Sequence, residues 1–304
     1  MGTRHFLTLL DLQPAALRAL IARAIEMKKM RARGEHVTPL AGKVAALIFE
    51  KSSTRTRVSF ESGIAQLGGT SMFLSPRDLQ LGRGEPVADT ARVVSRMVDV
   101  IVIRANTHAT VEEFARHSAV PIVNALTDRF HPCQLLADIQ TVIEQRGDIA
   151  GRTAAWVGDG NNVCHSWMNA AEQFGFRLRV ATPRGYEPDA QLTQARAARV
   201  TVMNDARAAV DGADIVVTDT WASMGQEDEK AKRQCDFADF SVNAALMRLA
   251  AKDALFMHCL PAYRGQEVSA EVIDGPQSVV WDEAENRLHA QKALLEALLT
   301  AKSF

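Results

Sequence analysis

Six consecutive residues, 52–57, carry hydroxyl or guanidinium groups, and four of them are Ser53, Thr54, Arg55 and Thr56. The apolar run 44–49 before them has the length of a buried strand, and apolar residues at helical spacing follow, so the four would lie at a helix N-terminus. Unpaired amides, hydroxyls and positive charge favour a bound anion there, such as a phosphate. A residue that only caps the helix is the simpler alternative. Arg57 cannot share a helix face with Arg55, so we expect it to brace the turn from behind.

Further polar residues stand where predicted strands end: Arg104, His131, Gln134, Asn161, Asn162, Asp219 and Cys259. Ligands of doubly wound sheets bind outside the carboxyl ends of the strands, so this placement indicates a ligand site. His131 could donate a hydrogen bond to a carbonyl oxygen or transfer a proton near neutral pH, and Asp219 with Ser223 could hold an ammonium group. Taken singly, each residue has a simpler interpretation as a loop histidine, a surface ion pair or a helix cap.

Strands and helices alternate along the whole chain, which predicts parallel sheets covered by helices on both faces. In the second half, we predict strands at TAAWVG, LRVAT, VTVM, ADIVVTD, ALFMHCLP and VVWDE. The fold class is therefore α/β, with two doubly wound parallel-sheet domains joined by interdomain helices. The 304 residues are enough for two domains of about 150 residues each. We place the first domain at 1–146, the second at 147–285, and a C-terminal helix, 286–304, back on the first domain.

The composition excludes several classes of function. With 35 basic and 36 acidic residues the net charge is −1, so there is no basic field for nucleic acid. No apolar run approaches the roughly 20 residues that span a bilayer, and we expect a cytoplasmic protein. The four cysteines lack paired spacing, which argues against disulfides and a zinc site. The balanced charge favours small molecules as partners. The turn GDGNN lacks the third glycine of a dinucleotide fingerprint, so it indicates a dinucleotide cofactor only weakly.

Four motifs in this order, SSTRTR, HPCQ, DTWASMG and MHCLP, resemble those of the ornithine carbamoyltransferases, within the family shared with aspartate carbamoyltransferases. The resemblance covers the chain from HFLTLLDL to the terminal helix. It implies transfer of a carbamoyl group from carbamoyl phosphate to the δ-amine of L-ornithine, giving L-citrulline and phosphate, most simply in arginine biosynthesis. It also implies that no metal or organic cofactor takes part, and that the enzyme is a homotrimer with sites near subunit interfaces.

The resemblance also implies roles for individual residues. Those that would bind carbamoyl phosphate are Ser53, Thr54, Arg55, Thr56, Gln80, Arg104, His131, Gln134 and Arg287. Those that would bind ornithine are Asn162, Asp219, Ser223, Met224, Cys259 and Leu260. The catalytic groups would be Arg104, His131, Asp219 and Cys259. Gln80 would reach the carbamoyl phosphate of a neighbouring subunit of the trimer.

The chemistry of this transfer fits the residue types. A neutral amine attacks a carbonyl carbon and phosphate leaves, so the site needs fixed donors around the developing oxyanion and a clamp on the leaving group. Two alternatives stay open. The chain could carbamoylate another amine, such as aspartate, putrescine or an acylated ornithine, although DTWASMG with MHCLP resembles the motifs for free ornithine. It could also be a phosphate-anion or nucleotide-binding module without catalysis, which would leave His131 and Cys259 without a role.

Overall fold

The structure, a computed structural model, describes residues 4–81, 84–222 and 229–300. The chain divides into two compact units, one formed by Met1–Gln140 with Glu285–Phe304 and the other by Thr141–Ala284. Both points of division fall inside helices. Each unit contains a parallel sheet with interleaved helices, so the predicted α/β class is confirmed. The exact domain boundaries given above stay a prediction. Within the described residues, no helix combines the length and the apolar character needed to cross a membrane.

The first unit contains a parallel sheet of four described strands, in the order β2-β1-β3-β4. The strands are β1 (Val44–Phe49), β2 (Thr70–Leu74), β3 (Val100–Arg104) and β4 (Ile122–Leu126). The helices are α1 (Pro14–Ala32), α2 (Thr54–Gln66), α3 (Val87–Val94), α4 (His108–His117) and α5 (Pro132–Arg146), which continues into the second unit. Strand β3 is buried throughout, and β1 and β4 are buried except for one half-buried end residue in each. This burial explains the nearly continuous apolar sequences of the three strands.

The second unit contains a parallel sheet of five described strands, in the order β7-β6-β5-β8-β9. The strands are β5 (Thr153–Val157), β6 (Arg177–Ala181), β7 (Val200–Met203), β8 (Ile215–Thr218) and β9 (Leu255–His258). The helices are α6 (Asn162–Phe174), α7 (Ala190–Ala195), α8 (Ala206–Val210), α9 (Lys230–Asp236), α10 (Ala244–Met247), α11 (Ala270–Ile273) and the start of α12 (Val280–Leu299). Large buried side chains such as Trp156, Trp167 and Phe256 fill the core of this unit.

One predicted strand, VVWDE, is wrong. Val280 begins the 20-residue helix α12, whose first turn carries Asp282 and Glu283. Negative side chains stabilise the N-terminus of a helix, and this preference outweighs the strand propensity of the two adjacent valines. The extended segment just before the helix still makes a single parallel bridge, between Ser278 and Phe256 of β9. The apolar pattern therefore marked a real contact with the sheet, but one that ends where the helix begins.

Each sheet has a point where the strand order reverses direction. In the first unit β2 lies on one side of β1 and β3 on the other, and in the second unit β6 and β8 flank β5 in the same way. Such a switch point leaves a crevice outside the carboxyl ends of the two central strands, where ligands bind in doubly wound folds. The polar strand-end residues predicted from the sequence fall largely at these two crevices.

Candidate active site

The predicted anion cradle lies at the switch point of the first unit. Ser53 is the N-cap of α2: its Oγ accepts the main-chain N–H of Thr56 at 3.4 Å and donates to Thr56 Oγ1 at 3.0 Å. The capping role considered above is therefore real, and it accompanies the cradle. Thr54 is exposed, Arg55 is half-buried and Thr56 is buried, so the first turn presents amides, hydroxyls and one guanidinium at the end of β1. This arrangement suits an anion with several oxygens.

Arg57 points away from the cradle, as its spacing from Arg55 predicted. Its guanidinium carbon lies 3.8 Å from the centroid of the Phe73 ring, and its Nε donates to Glu61 at 3.1 Å. Arg57 therefore braces α2 against β2.

Arg104 and His131 lie at the ends of the next two strands of the first unit. Arg104 is the last residue of β3, is 8 % exposed and stands in register with Phe49, the last residue of β1. His131 follows β4 and is 5 % exposed. Burial, reinforced by the charges of Arg287, Arg104 and Arg55, lowers the pKa of His131 well below 6.5. The imidazole is therefore neutral at physiological pH, and it can donate one hydrogen bond without adding charge to the arginine cluster.

Arg287 from α12 completes the cradle. Its Nη1 donates to Gln134 Oε1 at 2.7 Å, and its Nη2 donates to Thr56 Oγ1 at 3.4 Å. Gln134 in turn donates from Nε2 to Asp138 Oδ1 at 2.8 Å, so its amide oxygen is directed at the arginine. The structure thus brings together three residues that the resemblance assigned to carbamoyl phosphate, although they lie up to 231 positions apart in sequence.

Gln291 also belongs to this group and was missed by the sequence analysis. With its amide oxygen directed at Arg287, that oxygen accepts from Nε at 3.1 Å and from Nη2 at 3.0 Å, and the amide nitrogen donates to Ser59 Oγ at 2.7 Å. Ser59 Oγ lies 3.1 Å from the main-chain oxygen of Thr56, to which it can donate. The available signal was its position four residues after Arg287, which places both side chains on one helix face.

Gln80 is the predicted binding residue that the structure does not bring to the cradle. It is exposed in the loop between β2 and α3. Its main-chain oxygen accepts from the N–H of Glu85 at 3.2 Å, which holds the loop locally. Nothing in the described part of the unit joins its side chain to the anion cradle.

Asp219 is the centre of the second group of polar residues, at the switch point of the second unit. It directly follows β8 and is 8 % exposed. Its Oδ2 accepts from Asn161 Nδ2 at 2.8 Å, and its Oδ1 accepts from the N–H of Thr220 at 2.8 Å and from the Cys259 thiol at 3.2 Å. The carboxylate is thus held by donors from the ends of β5, β8 and β9, in an orientation suited to a cationic ligand.

Asn161 and Asn162 have different roles at the end of β5. Asn161 is the N-cap of α6, because its Oδ1 accepts the N–H groups of Val163 at 2.9 Å and Cys164 at 3.1 Å, while its Nδ2 holds Asp219. Asn162, the residue assigned by resemblance, is half-buried at the first position of α6. The predicted ornithine-side residues Ser223 and Met224 lie outside the described residues.

Arg233 of α9 fixes the neighbourhood of Asp219. Its Nη1 donates to Asp159 Oδ2 at 2.9 Å and to the main-chain oxygen of Trp221 at 2.7 Å, and its Nε donates to Glu229 at 2.9 Å. Burial raises the pKa of Asp159 to about 6, even with Arg233 beside it. This buried pair was not visible from sequence, because its members lie 74 residues apart.

Cys259 and Leu260 follow β9, and the side chains of Asp219, His258 and Cys259 offer metal-ligand atoms within 4.8 Å of one another. Both ring nitrogens of His258 already have protein partners, however. Nδ1 lies 2.9 Å from the N–H of Leu260, and Nε2 lies 3.2 Å from Glu267 Oε1. A metal ion would have to displace one of them. The thiol of Cys259 donates to Asp219 Oδ1.

Two family models match the chain over nearly its whole length. Residues 4–144 match the carbamoyl-P binding domain of aspartate/ornithine carbamoyltransferase, and residues 150–298 match the Asp/Orn binding domain. The chain belongs to the aspartate/ornithine carbamoyltransferase family. Arg287 lies inside the second matched segment, yet its helix carries it to the cradle of the first unit.

Family members of known name resemble the chain from end to end. An ornithine carbamoyltransferase of Methylococcus capsulatus is 66% identical over 99% of this chain and 100% of its own length. An anabolic ornithine carbamoyltransferase of Pseudomonas aeruginosa is 58% identical over 98% of both chains. Among solved structures, the ornithine carbamoyltransferase of Pyrococcus furiosus has a TM-score of 0.95 at 47% identity, covering 100% of this chain and 99% of that one.

Proposed function

We propose that this member of the family transfers the carbamoyl group of carbamoyl phosphate to the δ-amine of L-ornithine, giving L-citrulline and phosphate. The observation that carries the proposal is the pair of oppositely charged groups at the two switch points. One unit presents arginines around a neutral histidine, and the other presents a fixed carboxylate beside a thiol. Relatives with 58% to 66% identity carry the name ornithine carbamoyltransferase, and one of them is described as anabolic, which favours a role in arginine biosynthesis.

Carbamoyl phosphate binds to the first unit in this proposal. The start of α2, from Ser53 to Thr56, holds the phosphate with main-chain amides, hydroxyls and the Arg55 guanidinium. Arg287, directed by Gln134, adds a second cation, which is supported by its 2.7 Å bond to that glutamine. Arg104 and His131 donate to the carbamoyl carbonyl.

L-Ornithine binds to the second unit. Asp219 receives the α-ammonium group, and Asn162 with Ser223 and Met224 holds the α-carboxylate. Cys259 and Leu260 lie beside the side-chain amine. The support for this division is the orientation of Asp219, whose two oxygens are both fixed by neighbouring donors.

The reaction requires charge stabilisation more than covalent chemistry. The neutral δ-amine attacks the carbonyl carbon, negative charge grows on the carbonyl oxygen, and the C–O bond to phosphate breaks. The amine nitrogen passes one proton to the departing phosphate. Arg104 and neutral His131 stabilise the oxyanion, and the cradle holds the departing phosphate. Loss of one such donor typically lowers the rate by about 10²- to 10³-fold.

The first test is citrulline formation by the purified protein with carbamoyl phosphate and L-ornithine, beside parallel reactions with aspartate, putrescine and N-acetylornithine. Turnover with ornithine alone supports the proposal. Turnover with a different acceptor would preserve the role of the first unit and overturn that of Asp219 and Cys259. Phosphate binding without any turnover would favour the binding module.

Paired variants test the division of labour between the units. Arg55→Ala should mainly raise the KM for carbamoyl phosphate, because it removes a cation from the cradle. Asp219→Asn should leave that constant unchanged and raise the KM for ornithine, because the ammonium loses its counter-charge. Equal effects of either variant on both substrates would contradict the assignment.

We also propose the homotrimer, with Gln80 reaching the carbamoyl phosphate of a neighbouring subunit. The proposal is supported by the exposed position of Gln80 and by two exposed apolar side chains of the same unit. Met72 on the edge strand β2 is 44 % exposed, and Val58 on α2 is 55 % exposed. Light scattering should give three times the chain mass, and Gln80→Ala should raise the KM for carbamoyl phosphate without dissociating the trimer. A monomer with full activity would refute both parts. The cytoplasmic location stays a prediction.

A further inference from the structure

Leu260 has a backbone conformation that non-glycine residues rarely adopt. Its φ angle is 58°, in the left-handed region, and it is the one non-glycine residue with a positive φ among the described residues. Such conformations persist where surrounding groups hold them, and they concentrate at functional sites. The structure should therefore contain groups that hold Leu260 in place.

Two fully buried side chains supply those groups. The N–H of Leu260 donates to His258 Nδ1 at 2.9 Å, so Nδ1 is the acceptor and the ring proton of the neutral imidazole is on Nε2. That Nε2–H donates to Glu267 Oε1 at 3.2 Å, and the same oxygen accepts the N–H of Tyr263 at 2.6 Å. His258 and Glu267 are each 0 % exposed. The hydrogen-bonded pair of His258 and Glu267 thus holds the turn after β9 at Leu260, near its start, and at Tyr263, near its end.

The pair is difficult to explain by stability alone. Glu267 Oε2 is buried and has no hydrogen-bond partner in the described part of the chain, and burying an incompletely paired carboxylate costs free energy. The main-chain N–H of His258 also donates to Glu283 Oε2, at 3.0 Å, so a second buried carboxylate fixes the end of β9. The fold thus places two acidic groups in its interior to fix one turn. A turn that carries reactive side chains is a reason to do so.

We propose that His258 and Glu267 are positioning residues for the amine substrate, which act by holding Leu260 and Cys259 in place. The proposal rests on the proposed function, because it takes Cys259 and Leu260 as neighbours of the ornithine side chain. Cys259 Sγ contacts Asp219 at 3.2 Å, so a shift of the turn would move the thiol relative to the carboxylate that receives the substrate. Neither His258 nor Glu267 needs to touch the substrate in this role.

Two substitutions of His258 separate positioning from packing. His258→Asn retains an acceptor at the place of Nδ1, so the bond from the Leu260 N–H survives, but it loses the bond to Glu267. His258→Gln places its amide nitrogen near Nε2, so it keeps the bond to Glu267 and loses the bond from Leu260. Glutamine is closer to histidine in volume. A purely structural role therefore predicts that the glutamine variant is the milder one.

The positioning role predicts the opposite order. His258→Gln should raise the KM for ornithine by about tenfold or more, as expected for a lost hydrogen bond at a strained turn, and His258→Asn by less than about threefold. The KM for carbamoyl phosphate should stay the same in both variants, since its cradle belongs to the other unit. Equal ornithine constants, or a milder glutamine variant, would overturn the proposal.

The reactivity of the Cys259 thiol provides a measurement that does not depend on the substrates. Cys133 and Cys164 are buried and Cys235 is exposed, so in a Cys235→Ser background the reaction with dithiobis(nitrobenzoate) reports on Cys259. His258→Gln should change its rate by about fivefold or more, whereas His258→Asn should leave it nearly unchanged. Unchanged thiol rates in both variants would refute the positioning role. If the wild type made no citrulline, the proposed function would fail while the thiol rates still decided this inference.

Substitutions of Glu267 keep the test decisive if the His258 variants do not fold. Glu267→Gln retains an acceptor oxygen for His258 and Tyr263, whereas Glu267→Met removes it at similar volume. The methionine variant should raise the KM for ornithine and alter the thiol rate, because it releases the N–H of Tyr263 as well as His258. The glutamine variant should do so much less. Similar constants for both variants would show that the acceptor has no positioning role.

Discussion

Gln291 allows the geometry of the anion cradle to be tested without touching a group that contacts the substrate. In Gln291→Met, Arg287 loses the acceptor that lies 3.1 Å from its Nε and 3.0 Å from its Nη2, while its 2.7 Å bond to Gln134 remains. Hydrogen bonds to a charged group contribute about 1.5 to 3 kcal/mol, and the two bonds share one acceptor atom, so we expect a loss of about 2 kcal/mol in anion binding. That loss corresponds to about a 30-fold weaker interaction.

Steady-state kinetics and product inhibition can measure this effect. The KM for carbamoyl phosphate and the inhibition constant of inorganic phosphate should both rise by about 30-fold in Gln291→Met, with the KM for ornithine unchanged. Ser59→Ala is the matched control, because it removes the other partner of the Gln291 amide and leaves the oxygen on Arg287. Its effect should be less than about threefold.

A double-mutant cycle decides whether Gln291 acts through Arg287. If it does, Gln291→Met should have almost no further effect on phosphate inhibition once Arg287→Met is present. Independent, additive effects of the two substitutions would refute the reasoning, because they would mean that Gln291 influences the cradle by another route.

Three further predictions concern the two units separately. Gly160→Ala should lower the free energy of unfolding by about 2 kcal/mol, since a Cβ there would lie 2.3 Å from the main-chain nitrogen of Pro188; denaturant unfolding with a change below about 0.5 kcal/mol would contradict this. Burial raises the pKa of Asp159 from 3.8 to about 6. Between pH 3.8 and about pH 6, the folded state therefore binds more protons than the unfolded state, and the contribution of Asp159 to the free energy of unfolding falls as the pH rises. Asp159→Asn has no carboxyl group to titrate, so its free energy of unfolding relative to the wild type should increase from about pH 4 to about pH 6. A difference between the two proteins that stays constant over this pH range in unfolding scans would refute the raised pKa of Asp159. Arg57→Met should leave the KM for carbamoyl phosphate within about threefold, because its guanidinium stacks on an aromatic ring behind the turn; a change as large as that of Arg55→Ala would place it in the cradle.

The sequence was most informative where function depends on local order. The cap at Ser53 and the strand end at Arg104 follow from patterns within a few residues, and the structure places both at the predicted positions. Even the opposite orientation of Arg57 could be predicted, because a helix turns by a fixed angle per residue. The wrong strand at VVWDE is the local failure, where helix-favouring acidic residues followed two valines.

Contacts between distant segments could not be predicted in the same way. Gln291 reaches Ser59 because α12 packs next to α2 in the first unit, and no periodicity of the sequence reports that neighbour. Glu267 belongs to none of the motifs described from the sequence, and a bridge between Val242 and Val268 holds its segment inside the second unit. Burial removes water from such polar side chains, so their hydrogen bonds orient the neighbouring groups.

The anion cradle of the first unit and the Asp219 group of the second unit arise from the same structural rule, but their side chains carry opposite charges. At each switch point, neighbouring parallel strands end side by side while their connections leave in opposite directions, so strand-end side chains face a crevice. In the first unit Arg104 ends β3 and the N-terminus of α2 adds the positive end of its dipole, which suits a phosphate. In the second unit Asp219 follows β8, and Asn161 uses its oxygen to cap α6 and its nitrogen to hold that carboxylate. Side chains cap both helices, Ser53 for α2 and Asn161 for α6, so capping does not separate the two crevices. The carboxylate of Asp219 gives the second crevice its negative charge, and the same topology therefore favours a cation there and an anion in the first unit.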